Sequence, residues 1–253
     1  MAARFSIKIF TMKKTAVFCS AILACALVAC AAILVNPSVV FRSAGGIKVK
    51  GTAVERVQSD AAEWGARICT RAPDLRAAAA EAEKFAALAK AEFEKRSVRR
   101  AEFSAVSASP VYKVEKGAAT NVVEGYSAAL SISVSAKSRE EIANVEAACS
   151  GLLKSGVPIF PEEARYYYTG LESLKMRLLE AAAQNARERA EKLVSGSGSK
   201  LGAVVSASQG IFQITRPLSN ETSDWGMYDT SSFEKDVKCV VTIEFSAADG
   251  RSD

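Results

Sequence analysis

The chain has 253 residues, 49% hydrophobic and 24% charged, a globular composition long enough for one large domain or a compact two-lobed one. Histidine is absent, which excludes Ser-His and Cys-His pairs and most catalytic zinc sites. Five of the 33 basic residues (Arg4, Lys8, Lys13, Lys14 and Arg42) precede residue 43 with no acid among them, leaving 28 basic against 28 acidic residues in the body, so no excess of positive charge points to nucleic acid.

Residues 1–14 form a basic N-terminus expected in the cytoplasm. Residues 15–35, TAVFCSAILACALVACAAILV, carry no charge. As a helix they would span roughly 31 Å at about 1.5 Å per residue, the thickness of a bilayer core. A buried core helix would normally keep a polar face, and this run has none. Lys13 and Lys14 immediately before it orient the N-terminus inward and send the rest of the chain outside. The expected location is the inner membrane, single-pass, with the main domain periplasmic. The run is longer than a usual signal core, which favours an uncleaved transmembrane helix or signal anchor. LVAC, ending at Cys30, also has the form of a bacterial lipoprotein box, and simple secretion is a third route. Cys19, Cys25 and Cys30 belong to this segment, leaving Cys69, Cys149 and Cys239 in the body. No CxxC spacing suggests a metal or redox pair.

Residues 36–46 read as a linker. IKVKGTAVERV alternates Ile47, Val49 and Gly51 as a strand, and DAAEWGARICT sets Ala62, Trp64, Ala66 and Ile68 on one face. These two segments either pair or run on through a bend. Asp74 is an N-cap for a helix to Glu94 whose apolar positions are Leu75, Ala78, Ala82, Phe85, Leu88 and Phe93. Strands are expected around residues 103–106, 111–114 and 126–135. In the last, Tyr126, Ala128, Leu130, Ile132 and Val134 alternate with serines, so one face of the sheet is buried and the other polar.

Ser138 with Glu141 forms a capping box for a second helix, with Ile142, Val145, Cys149 and Leu152 as its buried stripe and Gly156 and Pro158 ending it. On this pattern Cys149 is a buried free thiol. Cys239, alternating with Val237, Val241, Ile243 and Phe245, is another. ARYYYTG reads as a short strand. The longest helix follows, with Leu171, Leu174, Leu178, Ala182, Ala186 and Leu193 on its buried side. AVVSASQGIFQI and VKCVVTIEF close the chain as two strands, separated by a polar connection over residues 215–235. The order of elements implies α+β, with about three helices layered on mainly antiparallel sheet.

Little in this pattern carries chemistry. SGSGSKLG, residues 195–202, has the wrong last spacing for a dinucleotide fingerprint. It also follows a helix rather than opening one, so it would offer a phosphate the negative end of the dipole. It reads as a helix stop. The acid pairs Glu140-Glu141 and Glu162-Glu163 diverge in direction and read as solvated surface. Tyr166, Tyr167 and Tyr168 read as core and edge packing. A hydrolase built on carboxylates without histidine is the enzymatic alternative, with Asp60, Glu162 and Glu163 as its candidates. Asn220-Glu221-Thr222 is a glycosylation sequon. Trp225, Met227 and Tyr228 on the long connection are the candidate partner-contacting residues.

VKGTAVERVQSDAAEW and, above all, YYYTGLESLKMRLLEAAAQNARERAEKLVSGSGSKLGAVVSASQGIFQI resemble the SIMPL-domain family, formerly a domain of unknown function. The pattern comprises Gly51, Asp60 and Trp64, then Thr169-Gly170-Leu171, Asn185-Ala186-Arg187, Ala190, Gly198, Leu201-Gly202 and Gln209-Gly210. It covers residues 47–246, leaving 247–253 as a tail. The resemblance implies a bacterial periplasmic, surface or membrane-anchored α+β protein. It implies no established enzyme activity, cofactor or metal, and it brings no catalytic residues. Some members are linked to oxidative-stress defence and some relatives assemble into rings. The expected partners are therefore the membrane, through the N-terminal helix, a second copy of the chain, and an unidentified protein, with no nucleic acid. The expected role is non-enzymatic: self-assembly or partner binding in envelope maintenance or stress tolerance.

Overall fold

The computed structural model of the chain describes residues 25–26 and 46–248, Ser197 excepted. The predicted membrane segment lies outside these residues save for Cys25 and Ala26, which are helical, and Cys30 lies outside them. Among the described residues no helix is long and apolar enough to cross a membrane.

Among the described residues, eleven strands and three long helices make an α+β fold. In chain order they are β1 Ile47–Gln58, β2 Ala61–Ala72, α1 Leu75–Lys95, β3 Ala101–Phe103, β4 Ser107–Glu115, β5 Ala118–Ala136 and α2 Arg139–Lys154. They continue with β6 Ile159–Pro161, β7 Arg165–Tyr167, α3 Leu171–Ser195, β8 Lys200–Gln209, β9 Gln213–Thr215, β10 Met227–Tyr228 and β11 Glu234–Ala248. One sheet has the order β1-β11-β9-β10 with β8 on β11. The other runs β3-β5-β2-β6, with β4 on β5 and β7 on β2.

Of the two alternatives for the first segments, the bend is what forms. β1 and β2 join different sheets, and the chain turns at Ser59 and Asp60. Two anchors hold the turn. Ser59 N donates to Phe233 O and Asp60 N to Tyr167 O. The Asp60 carboxylate then accepts from Thr169 N at 2.8 Å and Thr169 Oγ1 at 2.6 Å.

By internal packing the chain divides into two units. The larger, Val49–Ala190 with Ala207–Ile243, holds the all-antiparallel sheet of β2 to β7. The alternation in β2 and β5 buries Ala62, Trp64, Ala66 and Ile68 with Ala128, Leu130, Ile132 and Val134, and α1 and α2 cover that face. Phe93 of α1 meets Trp64 edge-on at 6.3 Å and Phe103 at 6.1 Å. Burying such a ring contributes roughly 1.5–3 kcal/mol.

Both predicted caps form. Ala77 N donates to Asp74 Oδ1 at 2.8 Å and Glu141 N to Ser138 Oγ at 3.2 Å. Glu141 returns its carboxylate to Lys137 N, one residue before the cap. Gly156 ends α2 with φ +81°.

The helix faces need correction. Leu75 and Leu88 of α1 stand exposed while Ala78, Ala82, Ala89 and Phe93 are buried. In α3, Leu193 is exposed, and the buried side runs Leu174, Leu178, Ala182, Ala186, Ala190 and Val194. Small residues take the centre because the helices lie close to the sheets. At Gly51 of β1 an added Cβ would collide with Ala182 O and lie 2.6 Å from Ala186 N. Thr52 N donates to Asn185 Oδ1 on the same helix at 3.1 Å.

Three strand expectations also shift. The expected strand at 103–106 ends at Phe103, β7 stops at Tyr167 so Tyr168 lies outside it, and β6 had no signal.

In the smaller unit the end of α3 reaches Ser195, Gly198 turns the chain with φ +71°, and β8 begins at Lys200. SGSGSKLG is thus a helix stop followed by a strand start. Gly202 lies against Ser246 of β11, whose hydroxyl donates to Ala203 O at 3.2 Å.

Candidate functional site

The predicted closing strand AVVSASQGIFQI is broken, and the break creates the surface of interest. β8 ends at Gln209, residues 210–212 cross over, and β9 begins at Gln213. Gly210 N donates to Val240 O at 2.8 Å, and an added Cβ there would sit 2.9 Å from the same oxygen. All three residues of β9 are buried. β9 pairs antiparallel with β11, and on its other side it takes β10 in parallel, Met227 opposite Gln213 and Tyr228 opposite Ile214. The long connection is therefore a folded excursion.

Side chains fix its path. The Gln213 amide donates to Ser223 O at 2.6 Å and accepts from Ser223 N at 3.4 Å. Gly226, with φ +88°, closes a turn onto Ser223 O and sets Trp225 at its apex. An added Cβ at Gly226 would meet Ile211 Cγ2 at 2.8 Å, so this turn packs on the crossover.

Further along, Asp229 accepts from the backbone and hydroxyl of both Ser231 and Ser232. Burial pushes its carboxyl up, but the bonds from Ser232 and Ser231 outweigh that and hold it below its ordinary value. Lys235 is fully buried, and its ammonium donates to Asp229 O at 2.5 Å and Ser232 O at 2.8 Å. Burial lowers its pKa and the Asp229 charge opposes that. Asp236 pairs with Arg56 of β1 through two bonds, 2.7 and 3.0 Å, and this pairing holds its carboxyl low.

The result is an open groove of about 580 Å³ walled by Leu171 and Lys175 of α3, the crossover, and the turn from Trp225 to Tyr228. Trp225 is 94% exposed, Ile211 49% and Tyr228 45%. Met227 is half-buried between them. Lys175 is the cation of the groove, held by Glu172 at 2.7 Å and lying 5.9 Å from the Phe212 ring centre. The three residues predicted to contact a partner therefore line one groove. Phe212 and Ile211, read from the sequence as strand interior, belong to it. The lining is apolar and aromatic with Lys175 as its charged side chain.

The alternative hydrolase candidates Asp60, Glu162 and Glu163 are all exposed, and Asp60 is engaged by Thr169. Glu141 serves the α2 cap. Tyr166 packs edge-on against Phe233 at 5.7 Å and Tyr167 donates to Glu63 at 3.2 Å. Cys149 and Cys239 are buried free thiols whose burial pushes them up, and Cys69 is free and half-buried. Among the described residues no three metal-ligating side chains converge.

The residues that carried the resemblance are largely packing devices: Gly51 against α3, Asp60 on Thr169, Asn185 on Thr52, Gly198 and Gly202 at the start of β8, Gly210 at the crossover. No curated protein matches the chain. The model of the SIMPL family, described as a protein of unknown function (DUF541), matches residues 47–245, and the chain belongs to that family.

Proposed function

We propose that this SIMPL protein is a membrane-anchored, extracytoplasmic binding protein that works by self-assembly or partner contact in envelope maintenance or stress tolerance. The observation that carries the reading is Trp225, 94% exposed at the apex of a turn tied to the Gln213 amide and closed at Gly226. A large ring exposed to water costs hydration and returns nothing until a partner covers it. The uncharged run of residues 15–35 behind Lys13 and Lys14 supports the anchoring.

In-cell cross-linking of the full-length chain in its own envelope tests the contact. Adducts to a second protein that form with the native chain and disappear with Trp225→Ser support it, and such adducts unchanged by that substitution, or none, count against it. Protease treatment of intact cells and spheroplasts tests the topology. A body protected in both overturns the extracytoplasmic location.

A further inference from the structure

The β4–β5 hairpin outgrows its sheet. β2 pairs with β5 only from Tyr126 onward, so residues 111–124 continue as a two-stranded ribbon without β2. Lys116 and Gly117, with φ +49° and +85°, form a tight hairpin turn at its tip. Tyr112, Val114, Val122 and Val123 are 45%, 64%, 60% and 44% exposed. A bare ribbon of two strands is marginal in water, and this one presents apolar side chains while burying none of them.

Its free edge has a definite polarity. The Lys113 carbonyl faces β5, where it accepts from Thr120 Oγ1 at 2.9 Å. The register of β4 on β5 shifts between Val111 and Tyr112 and again between Tyr112 and Val114, so alternation is followed only from Lys113 to its neighbour, and the amide of Val114 faces outward. Pro110 supplies no donor, so the usable edge begins beyond it. The charges along this edge read Lys113, Val114, Glu115, and they are self-complementary about Val114. Set antiparallel against a second copy on a two-fold axis at Val114, the strand places Lys113 opposite Glu115 and Glu115 opposite Lys113, with Val114 facing itself. The two outward amides at 114 then complete each other. Lys113 and Glu115 already form a 2.9 Å pair within one chain, 51% and 59% exposed, and pairing would extend it into four alternating charges. Tyr112 and Val114 would form a continuous apolar stripe on the opposite face.

We propose that residues 111–124 are an assembly arm, and that β4 pairs with β4 of a second copy about Val114. This rests on the self-assembly part of the proposed function and names the element responsible.

The test uses the full-length chain in detergent, followed by light scattering. Glu115→Lys sets four positive charges together and is expected to weaken association on the order of tenfold or more. Lys113→Glu with Glu115→Lys restores complementarity and is expected to restore the assembly, which a merely solvated hairpin would not do. Val114→Cys is expected to oxidise to an intermolecular disulfide at position 114, since facing residues there lie about 5.5 Å apart between Cα atoms. A native chain that is strictly monomeric overturns both this arm and the self-assembly reading. A native assembly that is indifferent to Glu115→Lys and gives no disulfide at 114 overturns the arm alone.

Discussion

Lys235 is the residue with the least warning in the sequence and the largest local consequence. It is fully buried, and its ammonium satisfies two carbonyls that close the long connection. Lys235→Met fills the space but leaves Asp229 O and Ser232 O without that donor. We expect a loss of about 1–3 kcal/mol, seen as a lower urea midpoint at unchanged slope. An unchanged midpoint would show the two bonds to be dispensable.

Acid should act nearby through Asp236. Its folded pKa lies below the ordinary 3.8 because Arg56 donates to it. Its stabilising contribution is therefore complete above about 3.8 and lost as pH falls through the folded value. The stability difference between the native chain and Asp236→Asn should shrink on acidification. A constant difference from pH 6 to pH 2 would mean that the charge of Asp236 does not matter.

At the scale of elements, packing against close-set sheets explains both what the sequence disclosed and what it hid. β2 was legible because Ala62, Trp64, Ala66 and Ile68 alternate with polar or small residues, and one face is buried. The caps of α1 and α2 were legible because Asp74 and Ser138 act on amides three residues away, a purely local rule. The helix faces were misread where bulk was taken for burial. Alanines hold the centre line of α1 and α3, and Leu88 and Leu193 stand exposed. The break at Gly210 was hidden because its cause is long-range: Val240 O lies against that glycine.

Gly51→Ala follows from the same geometry. Its methyl would collide with the α3 backbone, so we expect a loss of about 1–3 kcal/mol by thermal or urea unfolding. Ser138→Ala should cost about 1 kcal/mol. A loss at Gly51→Ala clearly smaller than at Ser138→Ala would argue that α3 can back away from β1.

For the molecule as a whole, stability and recognition should separate. Trp225 is exposed and touches little, so Trp225→Ser should leave unfolding within about ±0.5 kcal/mol while removing partner adducts. A large loss of stability would place that ring in the fold instead of at a contact. The candidate surface was only half legible. Trp225, Met227 and Tyr228 stand out as apolar residues in a polar stretch. Phe212 and Ile211 join them through the parallel pairing of β9 and β10, which no local pattern encodes.

The bend at Ser59 and Asp60 has a consequence in time. β2 finds all its strand neighbours by Tyr167, whereas β1, one turn earlier in the chain, must wait for β11, with Arg56 and Asp236 180 residues apart. Closing so long a loop is slow relative to local pairing. A chain emerging from its N-terminus can therefore complete the second sheet while β1 is still unpaired. Pulse-labelled amides of β2 and β5 should gain protection before those of β1, and the reverse order would show that the C-terminal strand nucleates the fold.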